Sequence, residues 1–416
     1  MSRRLACLIA ACLLLPPALA AAAGPSTVPA TPRWQRLDHF LASQTANAPL
    51  RYPGAVVVVE RGGREVFAGH YGHQDIDRRT PMRRDSIFRI YSMTKPVASV
   101  ALLLLLEEGR VQLDEPLARH LPALAGLQQV DGSGRLVAAP ELTLRHLLTH
   151  TSGWSSDRQA HPQAALALRA AAIGQAPNLG ELARQLATVP LAEAPGSHFH
   201  YESANTELVA AVVEAVSGQR FADFLDQRIF TPLGMADTGF EVPADQRHRV
   251  VDLPTTDAQG RLVRADSPSA RLPGVRLRSH DSAAGGLYST ADDYLRFARM
   301  LLGRMPEDRP ALLSRKTREL MLADQLAGAF PAPVAGFSRG EGFGLGGYVV
   351  TDPAVRGRLG SVGQFGWSGA ASTYFTVDPA EDLVAIALLQ YVDEGQGPRL
   401  PSVATPFYNL VYQAID

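Results

Sequence analysis

The sequence reads as an α+β protein, with one sheet built from strands at both ends of the chain and a mostly helical segment inserted between them. Three features lead there. Strand-like apolar runs occur near the start, at 54–69, and again near the end, at 343–391. Between 111 and 279 the apolar spacing turns helical, interrupted by loops rich in Pro and Gly. The chain has 416 residues, 46% hydrophobic and 19% charged, which is enough to bury a large core. The expected division is a sheet-containing half (51–110 with 280–416) and a mainly helical half (111–279), with the active cleft between them.

Residues 1–23 read as an export signal. Ser2-Arg3-Arg4 is a basic start, and 5–15 is an apolar core too short to anchor in a bilayer. Pro16-Pro17 breaks the helix, and Ala18-Leu19-Ala20 offers small residues for cleavage. The expected location is therefore periplasmic or secreted. Ile9-Ala10-Ala11-Cys12 loosely resembles a lipobox, but too little hydrophobic sequence precedes Cys12 to favour a lipoprotein. Both cysteines, Cys7 and Cys12, fall inside this segment, so its removal leaves no thiol, and any nucleophile is an oxygen or an amine.

Residues 24–50 form an Ala- and Pro-rich extension followed by a helix with Trp34, Leu37, Phe40 and Leu41 at helical spacing. A buried strand at 54–60, the turn Arg61-Gly62-Gly63-Arg64 and a return strand from 65 make a hairpin. A short strand at 87–91 leads into a helix that starts at Ser92, carries Pro96 near its first turn and stops at Gly109. Residues 97–106 are apolar on every side, so this helix is expected to be buried all round. The run is about half the length of a membrane span. Helices follow at 144–149, 180–187 and 205–216, the last closed by Ser217-Gly218. Ser289-Thr290 opens another, with Asp292 and Asp293 placed for a capping box. Strands at 343–350, 373–377 and 383–391 and a helix at 405–415 complete the chain.

The net charge of −1 gives no general attraction to nucleic acid or anionic membrane, and no basic run is interleaved with aromatics. Oligomeric state is not written in the sequence.

The chemical signal is a lysine. The chain has thirty-eight arginines and two lysines, Lys95 and Lys316. Arginine cannot give up its proton in a protein, whereas a desolvated lysine can. Lys95 follows Ser92 by three residues, one helical turn on the same face. Ser92 at a helix start has its oxygen at the positive end of the helix dipole, which favours an alkoxide. Lys316, in Lys316-Thr317-Arg318 after Ser314, reads as solvated surface.

The stretch Phe88-Arg89-Ile90-Tyr91-Ser92-Met93-Thr94-Lys95-Pro96 resembles the serine β-lactamase-like family, which includes class C β-lactamases, D-aminopeptidases, D-alanyl-D-alanine carboxypeptidases and family VIII carboxylesterases. The likeness continues through 144–153, through Pro195-Gly196 to Tyr201, through 285–293 and at Gly366-Trp367-Ser368-Gly369. It implies a β-lactamase/penicillin-binding-protein-like fold, an antiparallel sheet flanked by helices, no cofactor, and a small-molecule ester or amide as the partner. It makes Ser92 the acylated nucleophile, Lys95 its proton partner and Tyr201 the general base. The backbone N–H groups of Ser92 and Ala370 become the oxyanion hole. Two departures stand out. The second motif reads Tyr201-Glu202-Ser203, with Ser203 in place of the usual asparagine. The third reads Trp367-Ser368-Gly369, where β-lactamases carry Lys-Thr-Gly. Trp367 supplies a flat apolar wall and one N–H donor, and Gly369 allows close approach of the strand to substrate. The resemblance is therefore nearest to the esterase branch. β-Lactamase, D-Ala-type peptidase and acyltransferase activities are the alternatives, and a non-catalytic binding protein is the rival from another class.

Three other motifs carry less. Gly336-Phe337-Ser338-Arg339-Gly340 matches a nucleophile elbow but lacks the flanking strand and helix. His198-Phe199-His200 places two imidazoles on one strand face, with no third ligand spaced to join them, so no metal is expected. His146 and His150, a helical turn apart with no glutamate base between them, read as structural contacts.

Overall fold

The computed structural model describes residues 31–305, 311–330, 334 and 339–415. The export-signal segment, both cysteines and Gly336 to Ser338 of the Gly-x-Ser-x-Gly motif lie outside the described residues.

Strand β1 (Gly54–Arg61) turns through Gly62 and Gly63, both with positive φ, into β2 (Arg64–Gly72). Two successive left-handed residues match the twist of an antiparallel pair, and glycine takes them without a Cβ clash. From the other end of the chain come β3 (Glu341–Phe343), β4 (Tyr348–Val350), β5 (Phe365–Gly369), β6 (Thr373–Asp378) and β7 (Leu383–Leu389). These form one seven-stranded sheet in the order β2-β1-β7-β6-β5-β4-β3, with every neighbouring pair antiparallel. The first and last strands of the sequence thus lie side by side, Ala55 opposite Leu389.

Both faces of the sheet are covered, which explains why β1 is apolar at every position from Ala55 to Val59 rather than at alternate ones. Ala55, Val57 and Val59 pack with Trp34 and Leu37 of α1 (Pro32–Gln44) and with Phe407 and Val411 of a C-terminal helix. Val56 and Val58 point the opposite way, into the core shared with α2 (Thr94–Glu107). In α2 every residue from Thr94 to Leu105 is buried, Thr94, Lys95 and Ser99 included, as expected for a helix with no continuous polar face. Helix α3 (Ser203–Ser217) packs beside it and ends at Gly218 in the left-handed conformation. Helix α4 (Ala291–Leu301) is capped by Thr290, whose hydroxyl accepts the Asp293 N–H. The expected reciprocal half of that box is absent, because the Asp293 carboxylate instead accepts from Asp237 N–H and the Thr238 hydroxyl.

Three expected strands differ. The run at 343–350 is split into β3 and β4, because Gly344, Leu345, Gly346 and Gly347 form a turn and Gly346 takes φ +96°. The run at 87–91 shrinks to Phe88–Arg89 and pairs with Tyr288–Ser289 outside the main sheet. His198, Phe199 and His200 lie in an irregular segment, not in a strand. Among the described residues no helix is long and apolar enough to cross a membrane.

Candidate functional site

Ser92 is the middle residue of a 3-10 turn, Tyr91–Met93, that precedes α2, so the helix proper begins two residues later than its sequence suggests. Tyr91 enters the turn at φ +45°, a conformation that costs a non-glycine residue about 1–3 kcal/mol and persists only where surroundings enforce it. Here they do. Ile90 N–H donates to Leu287 O at 3.1 Å, Leu287 N–H to the Thr94 hydroxyl at 3.2 Å, and the buried Tyr294 hydroxyl to Met93 O at 2.8 Å. A Cβ at Gly369 would stand 2.3 Å from Ile90 O and 2.2 Å from Thr373 Oγ1. The glycine is therefore needed first for β5 to pack on the serine-bearing turn, a role distinct from the expected approach to substrate.

Lys95 is 2% exposed. Its Nζ donates to Ser92 Oγ at 3.1 Å and to Ala284 O at 2.7 Å. That carbonyl is itself held in place. Glu207, buried on α3, accepts the Ser282 hydroxyl at 2.6 Å and the Ala283 N–H at 2.9 Å, with Arg278 at 3.3 Å. A buried carboxylate thus fixes the acceptor that aims the lysine at the serine.

Tyr201 reaches the same place from the loop before α3. Its ring centroid is 4.7 Å from Lys95 Nζ. Its hydroxyl accepts from Trp367 Nε1 at 3.1 Å and makes no hydrogen bond to Ser92 or Lys95. Direct convergence of both partners on the Ser92 hydroxyl is thus met by Lys95 alone, with Tyr201 one contact away and 40% exposed. Trp367 on β5 leans on Tyr201 (ring centroids 5.1 Å apart) and meets Phe343 edge to face at 5.2 Å, forming an aromatic wall. Ala370 sits exposed in the turn directly after β5. Ser203 is the exposed first residue of α3.

Sequence reasoning gave His150 only a structural role, yet the structure puts it at the centre. It is buried, its ring is 4.7 Å from that of Tyr201, and its φ is +55°. Glu202 N–H and the Asn205 side-chain amide both donate to its Nδ1, which therefore carries no proton. Burial, and then the charge of Lys95, hold its pKa well below the ordinary range. Asn205, two residues beyond Ser203, spends its amide on this contact. Burial raises the neighbouring Glu202 carboxyl, against hydrogen bonding from Ser156 N–H and the charge of Lys95. His146 is structural as expected. Its Nδ1 accepts from Thr143 N–H at 3.0 Å, and burial brings its pKa to about 4. Lys316 pairs with Glu319 on an exposed helix face, also as expected.

One expectation fails. His198 and His200 do have neighbours able to ligate. His161, Glu193 and His200 each place a ligand atom within 4.8 Å of the others. Glu193 and His200 share the segment that leads to Ser203, and His161 comes from another, so sequence spacing alone does not join the three.

This is the β-lactamase/penicillin-binding-protein fold, in a chain whose relatives include an esterase and a D-alanyl-D-alanine carboxypeptidase. The chain belongs to the Beta-lactamase family, whose model matches residues 42–402. Protein Rv1367c of Mycobacterium tuberculosis is 37% identical over 352 residues, covering 81% of this chain and 86% of that one. Esterase EstB of Burkholderia gladioli is 32% identical over 369 residues, covering 84% and 88%. Unliganded simvastatin synthase (LovD) from Aspergillus terreus superposes with a TM-score of 0.74 at 23% identity, over 93% of this chain and 98% of that one, a likeness of fold.

Proposed function

We propose that this chain is an exported carboxylesterase acting through an acyl-enzyme on Ser92. The observation that carries it is the buried Lys95 amine 3.1 Å from Ser92 Oγ, in a site whose β5 wall presents Trp367 and no cation. A wall without a cation suits an uncharged ester better than a substrate carrying a carboxylate. The similarity to Esterase EstB supports the same reading.

In this reading Ser92 Oγ bonds to the ester carbonyl carbon and its proton passes to Tyr201, with Lys95 holding both oxygens in a positive field. The Trp367 donor orients the Tyr201 oxygen and leaves a lone pair to receive the proton. The oxyanion is taken by the N–H groups of Ser92 and Ala370, each such donor being worth about a hundredfold in rate. The alkoxide then leaves with the proton. Water attacks the acyl-enzyme, returning a hydrogen to Ser92 and releasing the acid. Trp367, Gly369 and Ser203 border the substrate. The cleft lies between the sheet-containing half (51–110 and 280–416), which carries Ser92 and Lys95, and the helical half (111–279), which carries Tyr201. Export rests on the basic start and short apolar core of residues 1–23.

The test is turnover of p-nitrophenyl esters and of a cephalosporin by wild type and Ser92→Ala, together with fluorophosphonate labelling. Ester turnover and a covalent adduct, both lost in Ser92→Ala, are expected. Ester turnover that survives the substitution removes Ser92 from the reaction. Faster cephalosporin than ester turnover makes the chain a β-lactamase, and no adduct makes it a binding protein.

A further inference from the structure

We propose that His161, Glu193 and His200 form a binding site for one divalent transition-metal ion, with Zn(II) the ion their donor set fits. Two imidazoles and one carboxylate are borderline-soft ligands of the kind zinc accepts, leaving a fourth position for water or for His198.

The distances point to a metal rather than to direct pairing. His161 Nε2 and Glu193 Oε1 are 3.6 Å apart, too long for a hydrogen bond. Four ligands at about 2.1 Å from a tetrahedral ion are separated by about 3.4 Å, close to the 3.6 Å of this pair, and all three ligand atoms lie within 4.8 Å of one another. His198 Nδ1 lies 3.5 Å from the other carboxylate oxygen of Glu193. The rings of His161 and His200 stand edge to face, 5.3 Å apart.

A second observation is independent of the spacing. His200 Nε2 is buried and has no hydrogen-bond partner. A buried imidazole nitrogen without a partner is disfavoured in a folded chain, and ligation would satisfy it.

The backbone at all three ligands is also fixed in advance by a single segment, 150–157. His200 N–H donates to His150 O, Ala192 and Glu193 N–H both donate to Gly153 O, and His161 N–H donates to Asp157 O. Gly153 has φ +94°, and a Cβ there would stand 2.1 Å from Glu193 O, so the approach depends on glycine. Ligands anchored on a common backbone need only side-chain rotation to close on an ion. The ion would join the loop ending at Tyr201 to the N-terminus of the helix Pro162–Ala170, of which His161 is the N-cap.

Binding is read without reference to turnover, so this proposal stands or falls apart from the esterase reading. Metal-free full-length protein is titrated with CoCl2 and the d–d absorption recorded, after which ZnCl2 is added. The expected result is one Co(II) per chain, displaced by one Zn(II), with a rise in melting temperature. His161→Ala and Glu193→Gln should each weaken binding at least tenfold. Both variants are first melted without metal, and if His161→Ala does not fold, the near-isosteric Glu193→Gln decides alone. No stoichiometric uptake by wild type overturns the proposal, as does unchanged affinity in a folded Glu193→Gln.

Discussion

The Glu207 carboxylate accepts the Ala283 N–H at 2.9 Å, and the carbonyl of the next residue, Ala284, is the one that accepts from Lys95 Nζ. A buried acid on one helix therefore sets the aim of a buried amine on another. Glu207→Gln turns a charged acceptor into a neutral amide that also brings donors into the pocket. Hydrogen bonds to charged groups contribute about 1.5–3 kcal/mol, so a loss of that size in denaturant unfolding is expected. Ester turnover should fall with kcat, because the lysine loses its fixed acceptor. A variant with wild-type kcat would show that Lys95 is aimed by something else.

Gly369→Ala tests the packing of β5 on the serine turn. The added carbon would meet Ile90 O at 2.3 Å and must displace either the strand or the turn. Misplacing a reacting group by about 1 Å can cost about a hundredfold in rate. A drop of that order in kcat, together with a lower melting temperature, is expected. Retention of full turnover would mean that the turn yields without moving Ser92.

Trp367→Phe keeps the aromatic wall and removes the donor to Tyr201 Oη. If Tyr201 handles the proton, kcat should fall about tenfold, the equivalent of ~1.4 kcal/mol, with KM little changed. A change confined to KM would assign Trp367 to substrate binding alone.

His146 gives a pH prediction. Burial lowers its pKa from 6.5 to about 4, with Asp114 opposing that shift and Arg145 adding to it. Between those values the unfolded chain binds more protons than the folded one. The stability this group contributes is therefore full above pH 6.5 and lost as pH falls through 4. The loss amounts to about 3 kcal/mol. His146→Asn offers an oxygen to Thr143 N–H without a titrating ring. Denaturant midpoints at pH 7 and pH 4.5 should show a smaller drop for the variant than for wild type. Equal drops would place the acid sensitivity elsewhere.

The parts legible in the sequence are those where one local pattern suffices. Residues 97–106 announce a fully buried helix because no polar face interrupts them. The double glycine at 62 and 63 announces a tight hairpin. Lys95 stood out because the chain otherwise spends arginine on positive charge, and its burial against Ser92 agrees with that signal. What stayed hidden depends on contacts across the fold. Asn205 and Glu207 look like ordinary polar positions on a helix, yet both are buried, and their partners lie 55 and 71 residues or more away. His150 shared a helical turn with His146 and so was read with it, although the two imidazoles serve different neighbours. The run at 343–350 was apolar enough for one strand, but its glycines favoured a reversal that hydrophobicity does not record.

The adjacency of β1 and β7 sets the order of assembly. As the polypeptide leaves the ribosome, the N-terminal hairpin exists for more than three hundred residues with one long, mostly apolar edge unpaired. Its proper neighbour is among the last segments synthesised. The serine turn, which leans on β5, takes shape equally late, so activity arises only after the C-terminal strands have docked. Loss of even the final few dozen residues would leave the nascent protein both inert and prone to edge-to-edge aggregation.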